Sequence, residues 1–330
     1  MIKTQIYGFL ACIIMLTNQS CGQNKKAMDE KATESIGNLY KDVKFKDQAV
    51  NYHAEIQIGG CAFEVYVNDM SVHKYAGDDG SGSVGLSAPI NMNILKSGTQ
   101  TWELRVFPPE VNGKRLSTLP EGVKLELSVE ALKFRADGVD HTADPIVLLE
   151  TPKADKGNGM VYADAGKPFM VYKGTFKAEV PYQLKGWTES VDLSKEDSTA
   201  LREELVKTYE KYRGWLAKRD LAQLVQGLSQ KDKDRAQVTF YDKALNEDHL
   251  ETFIDRYGAP NLKMLPLEHY KMVLSGNGKM VSLERADHLY YPALIGESHQ
   301  QVGGKDKIYT MTYYLNFHRP HKGGALEVIR

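Results

Sequence analysis

The stretch Val123-Lys124-Leu125-Glu126-Leu127-Ser128-Val129-Glu130-Ala131 decides the fold class of the first half of this chain. Apolar side chains occupy every second position and charged or hydroxyl residues fill the gaps. A period of two places one face in a core and leaves the other in water, which is the pattern of a half-buried strand. Trp102-Glu103-Leu104-Arg105-Val106 repeats the alternation, and so do Phe176, Ala178 and Val180 ahead of Pro181. Ile56 and Ile58 lead into Gly59-Gly60, after which Cys61, Phe63, Val65 and Val67 again fall at alternate positions; the glycine pair predicts a two-residue hairpin. No helix-period run interrupts residues 48–190. Short antiparallel strands separated by Gly, Pro, Asn and Asp turns predict an all-β sandwich there, jelly-roll or immunoglobulin-like. Cys61, in phase with Phe63 and Val65, reads as a small buried hydrophobe. The loop Gly77-Asp78-Asp79-Gly80-Ser81-Gly82-Ser83 lacks the ligand spacing of a helix–loop–helix calcium site and reads as a flexible polar loop.

Near Ser194 the period changes. Ser194 with Asp197 has the form of a capping box, and Leu201, Leu205, Tyr209, Tyr212, Trp215 and Leu216 mark one face of a long helix. Asp220 can cap a second helix carrying Leu221, Leu224, Val225 and Leu228. A third is predicted from Asn246 through Leu250, Phe253, Ile254 and Tyr257 to Gly258, with Pro260 beyond. Strands return with Tyr270–Leu274 and Lys279–Leu283 around Ser275-Gly276-Asn277-Gly278, a tight-turn sequence. Ile308 to Phe317 alternates once more, and Leu326 and Val328 follow. Residues 194–330 therefore read as an α+β domain of helices followed by an antiparallel sheet.

Working outward to the start of the chain, Ile6 to Leu16 is an apolar run behind Lys3, too short to span a bilayer, and it ends near Ser20-Cys21-Gly22. This resembles a bacterial lipoprotein signal of the looser Bacteroidota type, with Asn18 three residues before the cysteine. The resemblance implies removal of residues 1–20 and lipid on Cys21, hence a membrane anchor in the cell envelope, the outer membrane before the inner. Residues 21–47 are polar and charged, with Leu39 and Tyr40 ahead of Val43, and read as a solvated tether. The 42 basic and 43 acidic side chains leave a net charge of −1, which gives no electrostatic case for nucleic-acid binding. Of three cysteines, Cys12 leaves with the signal and Cys21 takes lipid, so Cys61 has no partner for an intramolecular disulfide.

Two fold resemblances follow from these elements. Val65-Tyr66-Val67-Asn68-Asp69, then Leu95-Lys96-Ser97-Gly98-Thr99-Gln100 and Trp102–Val106, resemble the turn and strand layout of galactose-binding-like jelly rolls, with Asp69 for the turn glycine and Gln100 for the asparagine. That resemblance implies a binding module. The order of elements after Thr199 resembles the cone-shaped fold of ketosteroid isomerase and scytalone dehydratase. It implies a curved sheet around a pocket and places the strand between the second and third helices at Val238–Tyr241.

The chain carries no Gly-x-Ser-x-Gly elbow, phosphate-binding loop or His-Glu-x-x-His. His318-Arg319-Pro320-His321 could hold a metal only with a third ligand such as His299 or Asp287, and reads as a loop with two solvated imidazoles. No catalytic residue, metal site or cofactor is nominated. Tyrosines crowd the second domain, and Tyr309, Tyr313 and Phe317, on one predicted strand face, are the candidate binding positions. The expected function is a non-catalytic envelope lipoprotein that binds a glycan or another envelope protein, including a toxin it neutralises. Its rivals are an enzyme with a pocket in the second domain and a structural subunit of a secretion or surface complex.

Overall fold

The computed structural model describes residues 30–45, 48–77, 82–135, 138–157 and 159–330. The signal, Cys21 and most of the Gly77–Ser83 loop lie outside them. In chain order the first unit contributes β1 (Asn51–Gly59), β2 (Ala62–Val67), β3 (Met70–Tyr75), β4 (Ser83–Pro89) and β5 (Lys96–Phe107). A short hairpin, β6 (Glu110–Val111) and β7 (Lys114–Arg115), leads to β8 (Lys124–Arg135), β9 (Gly138–His141) and β10 (Ile146–Glu150). A second hairpin, β11 (Lys153–Asp155) and β12 (Met160–Tyr162), precedes the long β13 (Met170–Gln183). One sheet has the order β10-β8-β1-β4, with β9 also on β8; the other has the order β13-β5-β2-β3. All pairs in both sheets are antiparallel.

The alternation read from the sequence is what closes this sandwich. Leu125, Leu127 and Val129 from one sheet share a single core with Phe63, Val65, Leu104 and Val106 from the other. Cys61 is buried in that core, and burial pushes its thiol up to about 12. Gly59-Gly60 is not a hairpin. β1 pairs with β4 and β8 whereas β2 pairs with β3 and β5, so the two glycines carry the chain across from one sheet to the other. Gly60 has φ +73°, and a Cβ there would come within 3.1 Å of the Gly122 carbonyl oxygen. Alternation on both flanks is the same for a hairpin and a sheet crossing, so pattern alone could not separate them.

The second unit has helices α1 (30–37), α2 (Ser198–Lys218), α3 (Leu221–Val238) and α4 (Lys243–Tyr257). Its strands are β14 (Leu262–Met264), β15 (Tyr270–Ser275), β16 (Met280–Arg285), β17 (Leu294–Val302), β18 (Lys305–Tyr313), β19 (Phe317–His318) and β20 (Glu327–Val328). They form two sheets, β14-β17-β18 and β15-β16-β19-β20. Aspartates cap α2, α3 and α4: Asp197, Asp220 and Asp242 accept from the backbone N–H three residues on. The expected Ser194 cap is displaced, because Ser194 donates to Asp192 within a short 3-10 turn. α4 begins three residues earlier than the apolar spacing implied, since the capping residue is Asp242. Val238–Tyr241 forms no strand: Val238 ends α3 and Phe240 turns the chain with φ 55°.

Two further expectations change. Residues 30–42 are docked, with Ala32, Ile36 and Leu39 buried against the helices at spacings of four and three. Asn246 of α4, itself buried, donates to the Ile36 carbonyl and accepts from the Tyr40 N–H, at 2.8 Å each. The tether is therefore in part a strap on the second unit. The strand predicted from Ile308 to Phe317 also breaks after Tyr313, so Phe317 sits in the other sheet and does not share a face with Tyr309.

The units meet along a mixed boundary. Met70 and Leu95 pack with Trp187, Met280 and Ile329. The β2–β3 turn takes Asn68 and Asp69 at φ 53° and 59°, and Asp69 accepts the N–H groups of Gly276 and Asn277 from the β15–β16 turn. Asn68 in turn donates to Gln100 at 2.7 Å and to the Asn93 carbonyl at 2.8 Å, which fixes the turn that makes this contact.

Candidate functional site

Strand β2 buries Phe63, Val65 and Val67 and turns Glu64 and Tyr66 to the opposite face. Register then brings unlike charges side by side on that face: Glu64 lies opposite Arg105 on β5 and Lys74 on β3, and Tyr66 lies opposite Glu103. In an isolated sandwich this face would be wet. Here the second unit partly covers it and leaves a cleft of about 450 Å³ between the two. That volume falls in the range of small-molecule sites, which favour domain boundaries.

From the sandwich the cleft is lined by Tyr66, Ser71, Lys74 and Arg105; the second unit supplies Glu284, Tyr290, Tyr314 and Asn316. Tyr66 donates to Glu64 at 2.8 Å beneath the Arg105 guanidinium, which stands 4.4 Å from its ring centroid. Arg105 also pairs with Glu103 at 2.5 Å and with Glu64 at 3.5 Å. Lys74 spans the units, with its ammonium 3.1 Å from Glu284 and 5.3 Å from the Tyr290 ring. Burial, reinforced by Glu64, pushes the Tyr66 and Tyr290 phenols well above their ordinary range, so both remain donors. Tyr290 reaches the cleft from a backbone with φ 66°, an uncommon conformation for a bulky residue. Tyr314 stands at the rim, 54% exposed. Every cation of the cleft wall already has a carboxylate partner.

The sequence-nominated residues are dispersed. Tyr309 is partly exposed on β18; Tyr313 is buried and donates to the Arg256 carbonyl at 3.0 Å. Phe317 is buried between Tyr209 and Tyr212, at ring separations of 5.3 and 5.5 Å. His318, His321, His299 and Asp287 do not converge, and among the described residues no group of three His, Cys, Asp or Glu side chains is placed to hold a metal. His318 is not solvated: it is buried, with its Nδ1 2.7 Å from the Ser190 hydroxyl. Of the cleft residues, Tyr290 and Tyr314 belong to the tyrosine crowding read from the sequence, whereas nothing in the sequence marks Tyr66, Lys74, Arg105 or Glu284. On sequence alone Glu64, Tyr66 and Arg105 are wet-face positions, and nothing local announces that another unit covers them.

The strongly shifted carboxyl and imidazole groups lie elsewhere. Between α3 and α4, burial raises Asp232 to about 6 and lowers His249 to about 4, with the two side chains 3.7 Å apart. Burial likewise lowers His318 to about 4. A buried neutral imidazole contributes stability that is complete above its unfolded value near 6.5 and is lost as pH falls towards 4. For His318 this amounts to at most about 3 kcal/mol. His318→Gln should therefore flatten the decline in guanidinium midpoint between neutral pH and pH 4; an unchanged decline would show that this imidazole titrates alike in both states.

Together these features define a two-unit protein, a β-sandwich followed by an α+β unit, with a charge-paired, tyrosine-lined cleft at their junction. Compared with protein-family models, curated proteins and solved structures, the chain matches none.

Proposed function

We propose that this chain is a lipid-anchored envelope protein that binds without catalysis, and that it seats a neutral, hydroxyl-rich ligand, a glycan segment, in the cleft between its units. The observation that carries this reading is the pairing of charge in the cleft wall. Arg105 and Lys74 are each held by carboxylates, so an anionic ligand would have to displace Glu64, Glu103 or Glu284 before it gained a cation. Sugar hydroxyls can donate to those carboxylates and accept from the guanidinium and ammonium while the pairs stay intact. The rim tyrosine offers an apolar ring face to the C–H side of a sugar ring. Asp232, His249 and His318, the strongly shifted groups that an enzyme reading would use, do not line this cleft.

A protein partner is the second reading, and the edge strand β18 favours it. β18 ends its sheet with Ile308 and Tyr309 exposed, although Lys305 and Lys307 guard the same edge against indiscriminate pairing. The two readings separate in a titration of the mature protein with polysaccharide purified from its own envelope. Tyr314→Ala, at an exposed rim position, should weaken binding about tenfold, or about 1.4 kcal/mol. Tyr309→Ala should leave it unchanged. The reverse ranking, or no saccharide binding beside a protein partner captured through β18, would move the function to the edge strand.

A further inference from the structure

We infer that the face of the second unit built from α1 and α4 is turned towards the lipid surface and held within about 30 Å of it, while the far end of the sandwich is kept away. The inference rests on the proposed lipid anchor at Cys21 and concerns what the docked strap does to it. Had residues 22–47 all been free, a leash of 26 residues could reach about 90 Å and let any face meet the membrane. The described residues begin at residue 30, in α1, so no more than residues 22–29 lie between them and Cys21, and the full reach of those eight is at most about 30 Å. A body of about 300 residues is about 50 Å across, so bringing its opposite pole to the membrane would take a path of about 65 Å over the shoulder of the body and down its side. The short leash forbids that rotation.

The strap is fixed along its length. Ile36 and Leu39 are buried, and Asn246 holds the Ile36 carbonyl and the Tyr40 N–H. Lys44 and Gln237 exchange two hydrogen bonds, at 3.0 and 2.7 Å, and Phe45 packs edge-on against Phe240 at 5.0 Å. From there β1 runs nine residues away, about 30 Å, to the sandwich end at Gly59 and Gly60. Exposed charges of both signs lie on the strap and α4, Glu34, Asp248 and Glu251 beside Lys31, Lys41 and Lys44, with Lys243 paired to Glu247, so this face offers no basic patch to an anionic headgroup layer. The body stands off on its leash with this face inward.

The test uses the full chain, exported and processed in its own cells, purified in detergent and reconstituted into phosphatidylethanolamine–phosphatidylglycerol vesicles that carry a headgroup acceptor dye. Single cysteines at Glu251→Cys, on α4, or Glu121→Cys, at the far sandwich end, take the donor dye, since Cys61 is buried. Energy transfer from position 251 should exceed that from position 121 several-fold. A Gly-Ser insertion after Lys26, which lengthens the leash outside the described residues, should bring the two values together. Equal transfer without the insertion, in protein whose Cys21 is acylated by mass, would overturn the inference and leave the anchor standing. An unacylated Cys21 would overturn the anchor, and the inference with it.

Discussion

Phe317→Ala is expected to cost about 3–5 kcal/mol of folding stability, against no more than about 0.5 kcal/mol for Tyr309→Ala on the same stretch of chain. Phe317 is fully buried, and its ring fills the space between Tyr209 and Tyr212 where the β15–β16–β19–β20 sheet meets α2. Removing it leaves a cavity that neighbours so firmly placed cannot close: the Tyr209 hydroxyl donates to the Leu315 carbonyl and accepts from the Leu283 N–H. Tyr309, 41% exposed, has no such enclosure. Chemical denaturation of the two variants measures the contrast. Similar midpoints would mean that Phe317 is not a core residue and that β18 and β19 form the single strand that alternation suggested.

Breaking the pair between Asp234 and Arg330 should cost a comparable amount. Both side chains are 5% exposed and their charged atoms are 2.8 Å apart. Burial pushes the Arg330 guanidinium below its ordinary value, and Asp234 is the main group that offsets this. Arg330 also donates to the Met92 carbonyl of the sandwich at 3.1 Å and lies 5.0 Å from the Trp187 ring, so the pair serves the junction between the units. Asp234→Ala would leave an uncompensated buried charge, which costs about 3–5 kcal/mol. Replacing both partners, as Asp234→Leu with Arg330→Met, should recover most of that loss, because the desolvation cost of two ions disappears together with their attraction. A double variant no more stable than Asp234→Ala would show that the hydrogen bond to Met92 and the stacking on Trp187 dominate.

These features differ in how far they could be read from the residues. Alternation at Val123–Ala131 and Trp102–Val106 yields the sandwich because a strand with one buried face has no other economical pattern. The α2 face, the Asp220 cap and the Gly258 stop are equally local, and each stands as read. Apart from two cap positions, at Ser194 and Asp242, what failed depended on partners distant in sequence. Gly59-Gly60 crosses between sheets because β1 and β2 pair elsewhere. Ile36 is one apolar residue in a charged stretch until Asn246, 210 positions on, holds its carbonyl and the N–H of Tyr40.

The cleft was illegible for the same reason. Lys74 and Glu284 lie on different units and meet only once the sandwich's polar face is covered. Tyrosine density pointed to the second unit, and there the structure divides the residues. Tyr212, Tyr257 and Tyr313 fill the space between helices and sheets, Tyr209 extends from that core to the cleft wall, and Tyr290 and Tyr314 reach the cleft. Composition locates the aromatic mass; only packing says which rings remain available.

The most direct test of ligand binding between the units is crosslinking in intact cells from a photoreactive residue placed at Tyr314 or, separately, at Tyr309. The cleft account predicts a heterogeneous adduct from position 314 that periodate or glycosidase treatment collapses, and none from position 309. A discrete protein adduct from position 309, with position 314 silent, would contradict it.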